Sequence, residues 1–172
     1  MNFADIKRVD VANGPGVRVS LFVSGCTHHC EGCFNPETWN FDYGERFGQE
    51  QIDQILDLMD HSYIRGLSLL GGEPFEPQNQ EGLLELVRQM KVRFPDKDLW
   101  CYSGYLYEKL AANQVGQHSR ELLEQLDVLV DGRFVLAQKD LSLRFRGSRN
   151  QRIIRVQESL AQGEVVLWGE PQ

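Results

Sequence analysis

Val17-Arg18-Val19-Ser20-Leu21-Phe22-Val23-Ser24-Gly25-Cys26-Thr27-His28-His29-Cys30-Glu31-Gly32-Cys33 is an apolar run that breaks at a glycine and passes directly into three cysteines. Its first seven residues alternate loosely and then become continuously apolar, as a strand buried on both faces of a parallel sheet does. The cysteines follow at C-x3-C-x2-C spacing, so three of the chain's four cysteines lie within eight residues. A disulfide framework favours even numbers at wider spacing. Three thiolates on one short loop can instead hold three corners of a cubane iron-sulfur cluster, whose usual complement is four cysteines. One iron then lacks a protein ligand and stays open to a substrate or cofactor, as catalytic metals do. On spacing alone, a closed zinc site made of Cys26, Cys30, Cys33 and either His28 or His29 is the competing reading.

Working outward, Gly14-Pro15-Gly16 punctuates the chain before the strand, and Ile6, Val9 and Val11 among charges predict a short edge strand within residues 1 to 12. Ile52, Ile55, Leu56 and Met59 share one face of a helix from Glu50 to Met59. Leu67 to Leu70 predicts a second buried strand, ended by Gly71-Gly72-Glu73-Pro74-Phe75. There two glycines allow close backbone approach and a proline forbids further pairing. A helix from about residue 79 to 94 buries Leu83, Leu84, Leu86, Val87 and Met90 and closes at Pro95. Asp98 to Tyr102 is a third strand, within which Cys101 reads as a small buried hydrophobe. Two short helices near 105–112 and 119–125 precede a fourth strand, Val128 to Val130, which ends in Asp131-Gly132-Arg133-Phe134. Ile153 to Val156 and Val165 to Trp168 finish the chain as short strands.

Strand and helix alternate, which predicts an α/β fold with a mostly parallel sheet and right-handed crossovers. At 172 residues the chain is too short for a closed eight-unit barrel, which takes about 250. We expect one domain over residues 1–172, an open partial (β/α) barrel of about five or six mostly parallel strands. The cysteine loop leaves a strand's carboxyl end and belongs at the C-terminal mouth, where such folds gather ligands.

The chain carries 18 basic and 25 acidic residues, a net charge of −7, which disfavours a general nucleic-acid or membrane-surface binder. No apolar stretch approaches the roughly 18 residues of a spanning helix, and the first residues lack the apolar core of a signal peptide, so the cytoplasm is the expected location. Clustered reduced thiols agree with that compartment. Against the acidic whole, residues 133 to 155 hold Arg133, Lys139, Arg144, Arg146, Arg149, Arg152 and Arg155 with Asp140 as their only acid. Such a run is either a solvated loop or a surface for a carboxylate or an acidic partner.

Taken together, Gly14-Pro15-Gly16-x-Arg18, Phe22 and Gly25 before the first cysteine, and Asn35 after the third resemble the radical S-adenosylmethionine enzymes, and within them the glycyl-radical activating enzymes. The resemblance extends along the chain and is strongest over residues 13–39, 68–75 and 127–155. It implies a 4Fe-4S cluster on Cys26, Cys30 and Cys33, with S-adenosylmethionine chelated to the free iron. It also implies that Gly71-Gly72-Glu73 orients the methionine amine and that the backbone near Gly32, Cys33 and Phe34 holds the adenine, with Asp131 or Arg133 near ribose or carboxylate. In one departure, Gly32 stands where the superfamily usually has an aromatic, and Phe34 lies on the other side of Cys33. The implied activity is reductive cleavage of the cofactor, yielding a 5′-deoxyadenosyl radical that makes a glycyl radical on a partner. That partner is the large subunit of an anaerobic ribonucleotide reductase, with a small flavodoxin-like or ferredoxin-like protein as electron donor. Action on another glycyl-radical enzyme or on a small molecule is the alternative within the superfamily.

Overall fold

The computed structural model describes residues 1–169, so the last three residues of the expected domain lie outside the described residues. Among the described residues, the sheet contains β1 (Asn2–Asp10), β2 (Val17–Val23), β3 (Glu45–Arg46), β4 (Ile64–Gly71), β5 (Asp98–Ser103), β6 (Val128–Asp131) and β7 (Arg152–Arg155). Their spatial order is β3-β1-β2-β4-β5-β6-β7. The four central strands run parallel, whereas β1 and β3 on one flank and β7 on the other pair antiparallel. The ends of that order do not pair with each other, so the sheet is an open partial barrel with a parallel centre, as the strand-helix alternation predicts.

Side-chain alternation divides the sheet into two faces. Val19, Leu21 and Val23 of β2 bury against helices together with Leu67 and Leu69 of β4, Leu99 and Cys101 of β5, and Leu129 of β6. The covering helices are α1 (Gln49–Met59), α2 (Pro77–Arg93), α3 (Tyr107–Ala111), α4 (Ser119–Gln125) and α5 (Val156–Gln162). Each fully buried aliphatic side chain there contributes about 1.5–3 kcal/mol. On the other face Trp100, Val128 and Val130 pack with Phe145 and Trp168, which come from outside the strands. The predicted last strand is reduced to a single bridge, Ile154 to Leu167, and Val156 opens a helix instead. That helix is only seven residues long and stops at Gly163, whose φ of 73° is left-handed; about two turns leave too short an apolar period to read in advance.

At the amino ends of the parallel strands, Arg18 is completely buried. Its guanidinium donates to Ser68 Oγ at 2.7 Å, Pro15 O at 3.0 Å, Leu67 O at 3.1 Å and Asp98 Oδ1 at 2.5 Å. Burial pulls its proton affinity down and the Asp98 carboxylate opposes that. A buried cation is tolerated only when its donors are matched in this way. Arg18 thereby ties β2, β4 and β5 together and leaves the opposite, carboxyl ends of these strands for the site.

Candidate metal and cofactor site

Gly25 follows β2 and Gly71 ends β4, and both adopt left-handed φ, 101° and 114°. A Cβ at Gly25 would lie 2.2 Å from the Phe41 ring, so only glycine fits. The chain then crosses over: Gly72 N donates to Val23 O at 2.8 Å and Glu73 N to Gly25 O at 2.8 Å. On the other side Gly25 N donates to Thr38 O at 2.7 Å and Cys26 N to Trp39 O at 3.2 Å. Cys26 is thus held between the end of β4 and the 3-10 turn Pro36–Trp39.

Two buried carboxylates brace the loop beyond Cys26. Glu76 Oε1 accepts from Thr27 Oγ1 at 2.8 Å and from Tyr105 OH at 2.9 Å. Glu73 accepts from Phe75 N and Ser103 Oγ at 2.8 Å and from Gly104 N at 2.6 Å, and it lies 2.8 Å from His28 Nε2. His29, at a left-handed φ of 49°, stacks on Trp39 with ring centroids 4.5 Å apart. Cys33 N then donates to Cys30 O at 3.1 Å, closing a turn that sets the second and third cysteines side by side.

Cys26, Cys30, Cys33, Phe34, Gly71, Gly72 and Glu73 all line one cavity of about 470 Å³. Its floor follows from strand register, Phe22 opposite Leu70 and Tyr102 opposite Val130, one residue short of the strand ends. Phe34 and Phe134, with centroids 5.1 Å apart, wall it on the far side. Gly32 is not part of the lining; a Cβ there would meet Leu136 at 2.8 Å, and its φ of 76° is left-handed. An aromatic at position 32 would therefore be strained, and the aromatic surface comes from Phe34 and Phe134. Asp131 also lies outside the lining: it is buried and paired with Arg152 at 2.6 Å, while Arg133 does reach the cavity.

Residues 12–154 match the family described as a 4Fe-4S single cluster domain. The anaerobic ribonucleoside-triphosphate reductase-activating protein of Vibrio cholerae is 46% identical over 157 residues, covering 90% of this chain and 98% of that protein. This chain belongs to the family of anaerobic ribonucleoside-triphosphate reductase-activating proteins. Proteins of the same name from Escherichia coli K12 and from Enterobacteria phage T4 are each 42% identical, over 153 and 155 residues, covering 88% and 89% of this chain and 96% and 93% of theirs.

The donor set fits the iron-sulfur cluster that this family's description names. Three free thiols border one cavity, and the remaining cysteine, Cys101, is fully buried on the helix face of β5, away from it. A cluster spans more space than one ion, so its thiolates stand farther apart than the ligands of a zinc. Among the described residues no three His, Cys, Asp or Glu groups close around a single-ion position. Of the two histidines of the zinc alternative, His28 meets Glu73 through Nε2 and His29 stacks its ring on Trp39. Burial pushes the Cys26 thiol up to about 11, opposed by the backbone N–H groups of His28 and His29, and burial also raises Cys30. Iron takes thiolates, so the loop is built to release protons on loading.

Sequence reasoning missed several lining residues. Lys7, Ala12 and Asn13 reach the cavity only because β1 pairs antiparallel beside β2, and no local pattern marks them. Phe145, Arg146 and Gln151 come from the basic segment, whose charges obscured its structural use. Arg146 Nη1 donates to the carbonyls of Arg149 at 3.2 Å and Gln151 at 2.7 Å, and Arg152 grips Asp131 and Glu108. Among the described residues no helix is long and apolar enough to cross a membrane.

Proposed function

We propose that this chain, acting as one domain in the cytoplasm, activates an anaerobic ribonucleotide reductase by reductive cleavage of S-adenosylmethionine at a 4Fe-4S cluster on Cys26, Cys30 and Cys33. The observation that carries the reading is convergence: three thiols and the Gly71-Gly72-Glu73 edge border one cavity at the strand carboxyl ends. When bound, the cluster supplies the electron that splits the cofactor into methionine and a 5′-deoxyadenosyl radical, which takes a hydrogen atom from a glycine Cα of the reductase. The residues bind, orient and shield. Cys26, Cys30 and Cys33 would each hold an iron of the cluster, which would supply an iron without a protein ligand for the methionine end of the cofactor. The Gly71-Gly72-Glu73 backbone, packed against the ends of β2 and the cysteine loop, orients the methionine amine, while the backbone at Cys33 and Phe34 orients the adenine beside the Phe34–Phe134 pair. The apolar floor of Phe22, Leu70 and Val130 keeps water away from the reacting carbon. A small electron-donor protein supplies reducing equivalents.

The test is anaerobic reconstitution with iron and sulfide, followed by reduction with S-adenosylmethionine present. We expect a brown protein with acid-labile sulfide, release of 5′-deoxyadenosine and methionine, and a glycyl-radical EPR signal when the reductase is added. A colourless protein that takes up zinc and no sulfide would overturn the reading.

A further inference from the structure

The open sheet leaves a gap, and both of its edges carry exposed apolar side chains. β1 stands toward one end of the strand order, and the segment between β6 and β7 leaves the other. Lys7, Ala12 and Asn13 line the cavity from the first side, and Asp140, Leu141 and Leu143 from the second. Residues 139–148 form a hairpin on that second side. It is closed by a bridge between Lys139 and Ser148 and by hydrogen bonds from Asp140 N to Gly147 O at 3.2 Å and from Arg149 N to Gln138 O at 3.0 Å. Its base is fixed: Gln151 Oε1 accepts from Gly147 N at 2.8 Å and Ser148 N at 3.1 Å, and the buried Phe145 ring packs edge-on against Trp100 and Trp168. The tip is also ordered. Asp140 Oδ1 accepts from Ser142 N at 2.9 Å and Ser142 Oγ at 2.6 Å, and Leu143 N donates to Asp140 O at 3.2 Å. This turn holds Leu141 beside the cavity with 86% of its surface exposed. A single exposed apolar residue is ordinary, and Val92 on α2 is equally exposed. Leu141 differs in its company. Phe34, 60% exposed, borders the same cavity, and Val11, 68% exposed, adjoins Ala12 across the gap. Exposed apolar residues grouped around one mouth mark a binding surface.

We propose that Leu141 is a specificity-determining residue for the protein substrate: it packs against an apolar side chain next to the glycine that the reductase brings to the cavity. The inference rests on the reading of the cavity given under Proposed function. That reaction takes a hydrogen atom from a glycine Cα, so a stretch of the partner's backbone must pass the rim. Glycine itself offers the rim no side chain. Recognition therefore falls to the residues beside it in the partner's sequence. Exposed leucine, phenylalanine and valine match apolar neighbours, because a charged side chain pressed against them would lose water without gaining a partner. The tip turn that presents Leu141 is already formed, so little ordering of this chain opposes the contact.

The test uses the cluster-loaded protein and the intact reductase, with iron content and melting temperature as controls. Equilibrium binding to the reductase is measured first, and then glycyl-radical formation by EPR as a function of reductase concentration. Leu141→Ser is expected to weaken binding about tenfold to a hundredfold, as burial of one leucine side chain would, and to raise the half-saturating reductase concentration by the same factor. Leu141→Met is expected to recover most of the loss, and Val92→Ser to match wild type. With p-benzoylphenylalanine in place of Leu141, irradiation of the complex is expected to cross-link this position to the reductase peptide that contains the radical glycine. Unchanged binding and half-saturation in Leu141→Ser overturn the inference. So does a cross-link to another part of the reductase or to a second copy of this chain, and so does a loss confined to the rate at saturating reductase. If wild type cleaves S-adenosylmethionine and yet forms no radical on the reductase at any concentration, the functional reading itself fails, and that result is distinct because it involves no variant.

Discussion

Replacing Gly72 by alanine tests how the site is assembled. The new Cβ would stand 2.6 Å from Gly25 O and 2.8 Å from Thr38 O, closer than a Cβ can approach, and both obstacles are backbone. Those oxygens accept the hydrogen bonds from Glu73 N at 2.8 Å and Gly25 N at 2.7 Å that hold the cysteine loop. The loop must therefore shift away from β4 and weaken one or both. At about 1–3 kcal/mol for each buried group left unsatisfied, the expected loss is about 2–5 kcal/mol. For a chain of this size that lowers the melting temperature by about 5–15 °C. Because Gly25 adjoins Cys26, the iron bound after anaerobic reconstitution should fall as well. Gly82→Ala is the control: inside α2 its Cβ meets only the flexible Met1 side chain, at 3.4 Å, and removing a helical glycine should stabilise by about 0.5–1 kcal/mol. The assay is a thermal scan of the iron-free, reduced protein beside iron per chain. Wild-type melting and full iron loading in Gly72→Ala would refute the argument that this glycine serves backbone packing.

Three further outcomes follow from the same geometry. Cys26→Ala, Cys30→Ala and Cys33→Ala should each abolish iron binding, while Cys101→Ala should keep it and lose about 1 kcal/mol of stability from a small core cavity; equal iron loss in Cys101→Ala would contradict the three-thiol assignment. Burial holds the Cys26 thiol up at about 11 and raises Cys30, so at neutral pH their protons must be displaced by iron and loading should strengthen as pH rises, by up to about tenfold per pH unit for each proton released; iron affinity independent of pH between about 6.5 and 8.5 would contradict this. Arg152→Leu leaves Asp131 buried without its cation and should cost about 3–5 kcal/mol, whereas Arg149→Glu on the exposed rim should leave melting unchanged and lower the salt-dependent rate of glycyl-radical formation on the reductase.

The parallel centre of the sheet was legible because β2, β4, β5 and β6 are short apolar runs ended by Gly25, Gly71, Gly104 and Gly132, and apolar runs punctuated by glycine have few other uses. The cysteine loop was legible for a similar reason, since three thiols at close spacing serve metal chemistry better than any core. What escaped was whatever depends on register across the sheet. The inner face reads as an odd mixture in sequence, Arg18, Ser20, Ser68, Trp100 and Tyr102. Its order appears only when β2, β4 and β5 are laid side by side, so that Ser68 Oγ meets Arg18 Nε at 2.7 Å and Arg18 lies over Trp100. The seven basic residues of the 133–155 segment look alike in sequence for the same reason. In the fold Arg152 is committed to Asp131 and Glu108 and Arg146 to backbone carbonyls, while Arg133 faces the cavity.

Gly71-Gly72-Glu73 divides its work between the cavity and the scaffold behind it. Its residues do border the cavity with the cysteines, yet the Cβ position of Gly72 points into backbone that carries Cys26, and the Glu73 carboxylate turns to His28, Ser103 and the amides of Phe75 and Gly104. Glu76, three residues on, does the same for Thr27 through a second carboxylate. Both acids therefore brace the stretch between the first and second cysteines, which contains no regular secondary structure to hold it. A loop that must present three thiols in a fixed arrangement cannot rely on its own short backbone, because closing it costs conformational entropy that local contacts do not return. The strand end next to it supplies that rigidity. Substitutions in this motif should accordingly disturb cluster assembly first and ligand affinity second, the reverse of what a motif that merely touches the ligand would do.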